Sequence, residues 1–237
     1  MSNPREMILV RENEILRLLN KVKELKMPYI VVGGYAVATI MKRFSVDLDL
    51  VIKEEDKIIV EEMLKKEGYA VEYSKEISTI YGENFIRYEK KIDNLPISVD
   101  LMINGLVSRT TGASWSFSFI KEKSEIRNLD SISFPVPIIE LLIAMKIHSG
   151  RISDVKDIVA LSEKINENLI IEYSIRGKLE EVKRITRKSL SYLKSKNFKD
   201  SFQGVFTINS YKRELLENAE KIFQVIINYN KTNFKNI

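Results

Sequence analysis

Apolar positions follow two different periods along this chain, and the change from one to the other divides it near residue 135. In residues 11–26, Ile15, Leu18, Leu19, Val22 and Leu25 recur at helical spacing with charged residues opposite, and Pro28 stops the helix they predict. Tyr29–Val32 is a short, wholly apolar stretch of the kind buried on both faces as a strand. Gly33-Gly34 turns the chain into a predicted helix over 35–42, and Val46, Leu48 and Leu50 then alternate with acids in a strand over 46–52. Glu54-Glu55-Asp56 supply the acidic first turn of another helix, which Gly68 closes. Segments 69–73, 84–90 and 97–103 are rich in aromatic and β-branched residues and are broken at Gly82 and Asp93-Asn94, which predicts three more strands.

The small, polar run 104–114 has loop composition, and 115–120 and 131–134 fit short closing strands. Pro135 and Pro137 are expected to end the sheet region, with Pro137 at a helix start. Beyond them the period is helical, with helices expected over 138–147, 154–161, 178–193 and 211–229 and a frayed tail from 230. The pattern predicts an α+β chain: a mixed sheet flanked by helices over 1–135, then a helical lobe over 136–237, with no internal repeat.

Composition narrows the chemistry. At 237 residues, 44% apolar and 30% charged, the chain has ample material for a core. No apolar run reaches the ~18–20 residues of a membrane span, and the first residues lack a signal-peptide pattern. Zero cysteines exclude disulfides, thiol catalysis and Cys-based zinc sites, and suit a cytoplasmic protein. His148 is the single histidine, so a bound metal must be held by oxygen, which favours Mg²⁺ or Mn²⁺.

Asp47 and Asp49 share one face of their strand, and Asp100 sits alone at the centre of the alternating segment 97–103. An acidic pair on a strand is ordinarily one wet face of a sheet. The Gly-Gly step just upstream and the third acid give the pair another use. Like charges packed on adjacent strands repel, so three carboxylates need cations, and two divalent ions would neutralise them. A Gly-Gly step opening a helix also offers backbone N–H groups to an anion.

The blocks Gly33-Gly34-Tyr35-Ala36-Val37, Arg43-Phe44-Ser45-Val46-Asp47-Leu48-Asp49 and Ser98-Val99-Asp100-Leu101-Met102-Ile103 together resemble the DNA polymerase beta-type nucleotidyltransferase superfamily. Within it they look most like the minimal AbiEii-like branch, whose members include toxins of toxin–antitoxin pairs. Lys146, Arg151 and Lys156-Asp157 match that branch's helical motif, and the similarity extends over residues 29–161. The resemblance implies transfer of NMP from an NTP to a hydroxyl or phosphate acceptor with pyrophosphate release. Asp47 and Asp49 would bridge two Mg²⁺ or Mn²⁺ ions, and Asp100 would hold the acceptor-side ion and help deprotonate the acceptor. Gly33, Gly34, Arg43, Ser45 and Lys146 would bind the nucleotide. Gly34 lacks the hydroxyl that many members carry at that position, with Ser45 a substitute. Arg43 could hold phosphate or anchor the acids, and Lys146, on an apolar helix, needs either a charged partner or a route to water. Arg151 and Lys156 read as structural, with Asp157 as a partner for one of them.

Residues 178–199 gather Lys183, Arg184, Arg187, Lys188, Lys194, Lys196 and Lys199 opposite an apolar stripe. They form either a solvated face or a phosphate track for RNA such as a tRNA 3′ end, and Arg109 is a further candidate at the site mouth. A protein or small-molecule acceptor, a cognate antitoxin as partner, and a non-catalytic nucleotide- or RNA-binding module or antitoxin-like partner of the same fold are the alternatives.

Overall fold

The computed structural model describes residues 4–72 and 84–230, and these fall into two compact units. The first comprises residues up to Arg109 together with Ser114–Ile138, and the second comprises Thr110–Ala113 and the chain from Ile139 onward. The expected turn at Gly82, the end of the expected strand at Tyr73 and the tail 231–237 lie outside the described residues.

In the first unit, helix α1 (Pro4–Glu24) leads into β1 (Tyr29–Val32), α2 (Gly33–Ala38) and β2 (Asp47–Ile52). A 3-10 turn at Glu54–Asp56, α3 (Lys57–Lys66), β3 (Ala70–Val71), β4 (Phe85–Ile92) and β5 (Leu95–Ile103) follow. The sheet order is β1-β2-β5-β4-β3, and only β2 and β5 run parallel. Strand β5 is central, and its residues Ile97, Val99 and Leu101 are fully buried. On α1, Ile15, Leu18, Leu19 and Val22 are also fully buried, as the helical spacing requires. Polar ties hold α1 as well: Arg17 bonds both Glu14 and Glu67, while Lys90 of β4 and the Tyr69 hydroxyl both reach Glu14.

Helix α2 is shorter than expected. It stops at Ala38, where the Thr39 hydroxyl donates to the Ala36 carbonyl and competes with a further helical turn. The run 104–114 is not all loop, because β6 (Gly105–Val107) pairs with β7 (Ser114–Ser116). The expected strand over 115–120 is mostly helix α4 (Phe117–Glu122), nucleated where Ser116 accepts a hydrogen bond from the Phe119 N–H. Strand β8 (Ser124–Leu129), with no counterpart in the sequence reading, pairs with β9 (Ile132–Pro137). The last strand runs through Pro135 and ends at Pro137, with the next helix opening at Ile139, so the sheet region closes at the expected prolines. Being two apart they present their missing N–H groups on the same edge of a two-stranded sheet, where no ladder bond is lost.

The second unit holds α5 (Ile139–Ser149), α6 (Asp154–Leu161), α7 (Glu167–Ser174), α8 (Leu179–Leu193), α9 (Phe198–Phe206) and α10 (Arg213–Asn228). Helices α7 and α9 went unrecognised in the sequence, although Phe198, Phe202 and Phe206 recur every fourth residue. Their rings form a buried stack whose middle member also meets Tyr211.

Segment Thr110–Ala113 is bound into this unit by His148. The Nε2–H of His148 donates to the Ser174 carbonyl (2.8 Å), and Nδ1 accepts from the Thr111 hydroxyl (2.7 Å). The Lys178 N–H adds a bond to the Thr111 carbonyl, against which Gly177 leaves no room for a side chain. Burial holds the imidazole neutral and pushes its pKa from 6.5 down to about 4. Between those values the unfolded chain takes up a proton that the folded chain refuses, so stability falls as pH drops from 6.5 toward about 4 and is unaffected by this group above 6.5. Urea unfolding across that interval is expected to show the slope. His148→Gln, which can both donate and accept at the same places, is expected to flatten it.

Candidate active site

The carboxylates are placed by strand register. Asp47 and Asp49 are half-buried on β2, while the intervening Leu48 and the following Leu50 are fully buried on the opposite face. Because β2 and β5 are parallel neighbours, Asp49 stands directly opposite Asp100, and Asp47 opposite Ser98. On the other side of β5, Arg87 of β4 stands directly opposite Asp100. One row across the sheet therefore reads Val32, Asp49, Asp100, Arg87.

Asp100 is 3% exposed, and Arg87 grips both its oxygens, Nε to Oδ1 at 2.7 Å and Nη2 to Oδ2 at 2.6 Å. This two-pronged, charge-assisted geometry is the strongest form of carboxylate–guanidinium bond. Sequence reading did not single out Arg87. The cation that closely packed acids require is, for Asp100, already part of the chain.

The Gly-Gly turn lies against the first carboxylate. Gly33 adopts φ +66°, and a Cβ there would sit 1.8 Å from Asp49 Oδ2, so only glycine allows the backbone this close to the acid. A Cβ on Gly34 would sit 2.6 Å from Ser45 Oγ. The Ser45 hydroxyl thus occupies the space that a side chain at position 34 would fill. The Arg43 guanidinium carbon lies 3.7 Å from the same point, its Nε directed at the Phe44 carbonyl. Tyr35 donates its hydroxyl to the Ser45 carbonyl at 3.1 Å, tying α2 to the strand entry. Burial first, then the charges of Glu12 and Asp47, push the Tyr35 pKa well above its ordinary value and keep it a donor. Arg11 of α1, also unforeseen, stacks its guanidinium 5.1 Å above the Phe44 ring.

Gly33, Gly34, Arg43, Ser45, Asp47, Asp49 and Asp100 are thus brought together in the first unit. Asp47 and Asp49 offer the hard oxygen donors that Mg²⁺ or Mn²⁺ takes, and the cradle at Gly33 leaves Asp49 a close backbone neighbour. Among the described residues, no group of three or more His, Asp or Glu side chains is gathered to hold a metal ion. Asp47 and Asp49 are the residues that could hold such an ion, and Asp100 is paired with Arg87.

Lys146 belongs to the second unit, and its charge has partners there. It is 6% exposed on α5, with Nζ 3.0 Å from Asp154 Oδ1 and 2.7 Å from Asp157 Oδ2. Neither a route to water nor a triphosphate is needed to balance it. Burial favours loss of its proton, but the two carboxylates outweigh that and hold the pKa above its ordinary value. Asp154, opposed by burial but supported by Lys146, Arg151 and Ser149, is held at about 2. Asp157 pairs with Lys146. Arg151 bonds Asp154, and Lys156 reaches the Ser201 hydroxyl.

The basic face of α8 and the residues after it is thinner than its sequence. Lys183 is buried beside Glu180, Arg184 pairs with Glu181, and Lys194 pairs with Glu220. Arg187, Lys188, Lys196 and Lys199 are exposed without an ion pair among the described residues. Arg109 is also exposed.

No protein-family model matches the chain, and no curated protein matches it. Solved structures do. A candidate nucleotidyltransferase from H. pylori is similar over 94% of this chain and 95% of its own, at 16% identity and a TM-score of 0.53. JHP933 from Helicobacter pylori is similar over 94% of this chain and 92% of its own, at 17% identity and a TM-score of 0.53. The chain has the nucleotidyltransferase fold. The lincosamide antibiotic adenylyltransferase LnuA, bound to lincomycin, overlaps 64% of the chain at a TM-score of 0.48, and the fold assignment does not rest on it. In the nucleotidyltransferase fold of this chain the mixed sheet carries all three acids, and the helical region follows it. No helix among the described residues is long and apolar enough to cross a membrane.

The buried Lys146 triad makes a stability prediction. Lys146→Met leaves Asp154 and Asp157 buried without their cation, and is expected to cost about 3–5 kcal/mol in urea unfolding at neutral pH. A loss of under ~1 kcal/mol would show that the ammonium is not the carboxylates' main support.

Proposed function

We propose that this chain is a Mg²⁺- or Mn²⁺-dependent nucleotidyltransferase that moves NMP from an NTP onto a hydroxyl or phosphate acceptor and releases pyrophosphate. The observation that carries this reading is the contact of Gly33 with Asp49, in register with Asp100. It joins a side-chain-free backbone turn to carboxylates on adjacent strands. Such an arrangement has little use in a core, where two facing acids only repel. It suits a ligand that brings phosphate and metal together.

Asp47 and Asp49 would hold the divalent cation, which when bound neutralises phosphate charge and polarises the phosphoryl group. Gly33 and Gly34 keep the turn bare of side chains so that phosphate oxygens approach the backbone. The Ser45 hydroxyl, seated where a side chain of residue 34 would be, and the Arg43 guanidinium supply the nearby donors. Asp100, gripped by Arg87, would receive the proton of the acceptor as its oxygen attacks the α-phosphorus. The bond to the β-phosphate oxygen breaks, and pyrophosphate leaves with that electron pair. Most of the rate enhancement then comes from positioning and charge complementarity.

The acceptor favoured is RNA, such as a tRNA 3′ end. Arg187, Lys188, Lys196 and Lys199 support this as exposed cations along one helix and its exit, which suits a phosphate backbone. The match of Arg43, Ser45, Asp47, Asp49 and the Lys146 motif to the AbiEii-like pattern supports a toxin with a cognate antitoxin.

Pyrophosphate release from NTPs in the presence of Mg²⁺ tests the reaction. Asp47→Ala and Asp49→Ala are each expected to lower it by roughly 10²–10³-fold, the scale of losing a main charge-stabilising group. Wild-type rates in both variants would exclude the mechanism. Incubation with total RNA and α-labelled NTPs tests the acceptor. Label is expected in RNA, falling several-fold when Arg187, Lys188, Lys196 and Lys199 are changed to Ser. Label in protein or small molecules alone would rule RNA out.

A further inference from the structure

Two arginines of α1, Arg11 and Arg17, are used in opposite ways. Arg17 spends its guanidinium within the chain, Nε and Nη2 on Glu14 at 2.8 and 2.9 Å and Nη1 on Glu67 at 2.5 Å. Arg11 makes no hydrogen bond or ion pair among the described residues, and its Nε is buried without an acceptor. What holds it is the Phe44 ring, with the guanidinium carbon 5.1 Å from the ring centroid. A cation–π contact fixes a guanidinium in place and uses none of its N–H donors. A half-buried cation with unspent donors has given up hydration for little in return, and an anion is what restores the balance. The position of Arg11 says which anion. Phe44 lies between Arg43 and Ser45, the two residues against the bare turn, where a Cβ on Gly34 would meet Ser45 Oγ at 2.6 Å and the Arg43 guanidinium carbon at 3.7 Å. The Tyr35 hydroxyl, bonded to the Ser45 carbonyl, feels the charges of Glu12, Asp47, Arg11 and Arg43 together, so these groups gather around one point of the first unit. Glu12 forms no ion pair with Arg11, as expected of adjacent helical residues, which do not face each other.

We propose that Arg11 binds the polyphosphate tail of the nucleotide, its guanidinium seated on Phe44 and donating to phosphate oxygens beside the Gly33-Gly34 turn. The inference rests on the nucleotidyltransferase reading and extends it by naming a binding residue that lies outside the strand motifs, on the first helix. Guanidinium suits the post, because its planar fork matches phosphate with paired N–H donors while one face stays on an aromatic ring. The contact is made when the nucleotide binds and is kept as the α-phosphorus is attacked, since the phosphates it holds are the ones that leave. It therefore belongs to binding rather than to the chemical step.

The test reads binding and turnover separately. Calorimetric titration of the full chain with inorganic tripolyphosphate in the presence of Mg²⁺ measures the anion contact alone, because the probe has neither base nor sugar. Arg11→Gln is expected to weaken tripolyphosphate by roughly tenfold or more, the scale of a hydrogen bond to a charged group. In pyrophosphate release with ATP, GTP, CTP and UTP, the same variant is expected to raise KM by a similar factor while kcat stays within about threefold. Arg11→Lys keeps the charge without the fork and is expected to recover part of the affinity. Phe44→Leu removes the seat and is expected to raise KM several-fold. Unchanged tripolyphosphate affinity in Arg11→Gln, or a fall in kcat at constant KM, would overturn the proposal and leave the nucleotidyltransferase reading in place. Tripolyphosphate binding that depends on Arg11 in a chain that transfers from no NTP would keep the anion site and remove that reading. Neither tripolyphosphate binding nor transfer by the wild type would remove both. If Arg11→Gln does not fold, Arg11→Lys and Phe44→Leu decide by the same two measurements.

Discussion

The ion pair between Arg87 and Asp100 is the interaction on which the carboxylate-bearing face depends. Asp49 and Asp100 face each other across two parallel strands, and Asp100 is almost wholly out of water. Without a cation at that point the central strand would carry a buried, unbalanced charge beside another acid, a cost of several kcal/mol per ion. Arg87 removes that cost locally, from the next strand, with two short bonds. Asp47 and Asp49 are half-buried on β2, with Asp49 against the Gly33 turn.

The second unit answers the same constraint with the signs exchanged. Lys146 is a cation on an otherwise apolar helix, and Asp154 and Asp157 on the next helix meet it. Arg151 and Ser149 then attend to Asp154, so Lys146 and Asp154 each have more than one partner. His148, two residues further along α5, meets its own burial differently, by staying neutral and spending both ring nitrogens on hydrogen bonds. Alternate positions on this helix thus serve as a charged and an uncharged polar anchor.

Much of this was legible in the chain. Strand Tyr29–Val32, the acid-bearing strand after it and helix Asp154–Leu161 follow their apolar spacing closely, because burial on one face or both leaves a direct mark on composition. Asp47, Asp49 and Asp100 stood out for the same reason, as charges in apolar strands. The misses have specific causes. Arg87 looks like any outward-facing basic residue until register is considered. Yet the register was available: Asp93 and Asn94 both take positive φ in a two-residue hairpin turn, so each residue of β4 pairs with the one equally far beyond that turn. Counting outward from it reaches Arg87 and Asp100 together. Lys146 was recognised as needing a partner, but Asp154 and Asp157 lie a loop away, and nothing in helical spacing says which carboxylate a helix will meet. The last strand runs past its expected end at Phe134 to Pro137, because the parity of the two prolines on one strand edge is invisible without the pairing.

Thr110–Ala113 has a consequence for how the chain can be divided. These four residues belong to the helical unit, while the residues on either side of them belong to the sheet unit. Their partners, His148, Gly177 and Lys178, all come later in the sequence. A fragment ending at Ile138 would therefore carry a short segment whose hydrogen-bonding groups have lost their counterparts. A fragment starting at Ile139 would have His148 with one ring nitrogen unanswered in its interior. The two halves are covalently interleaved, and no single cut between them yields two intact pieces.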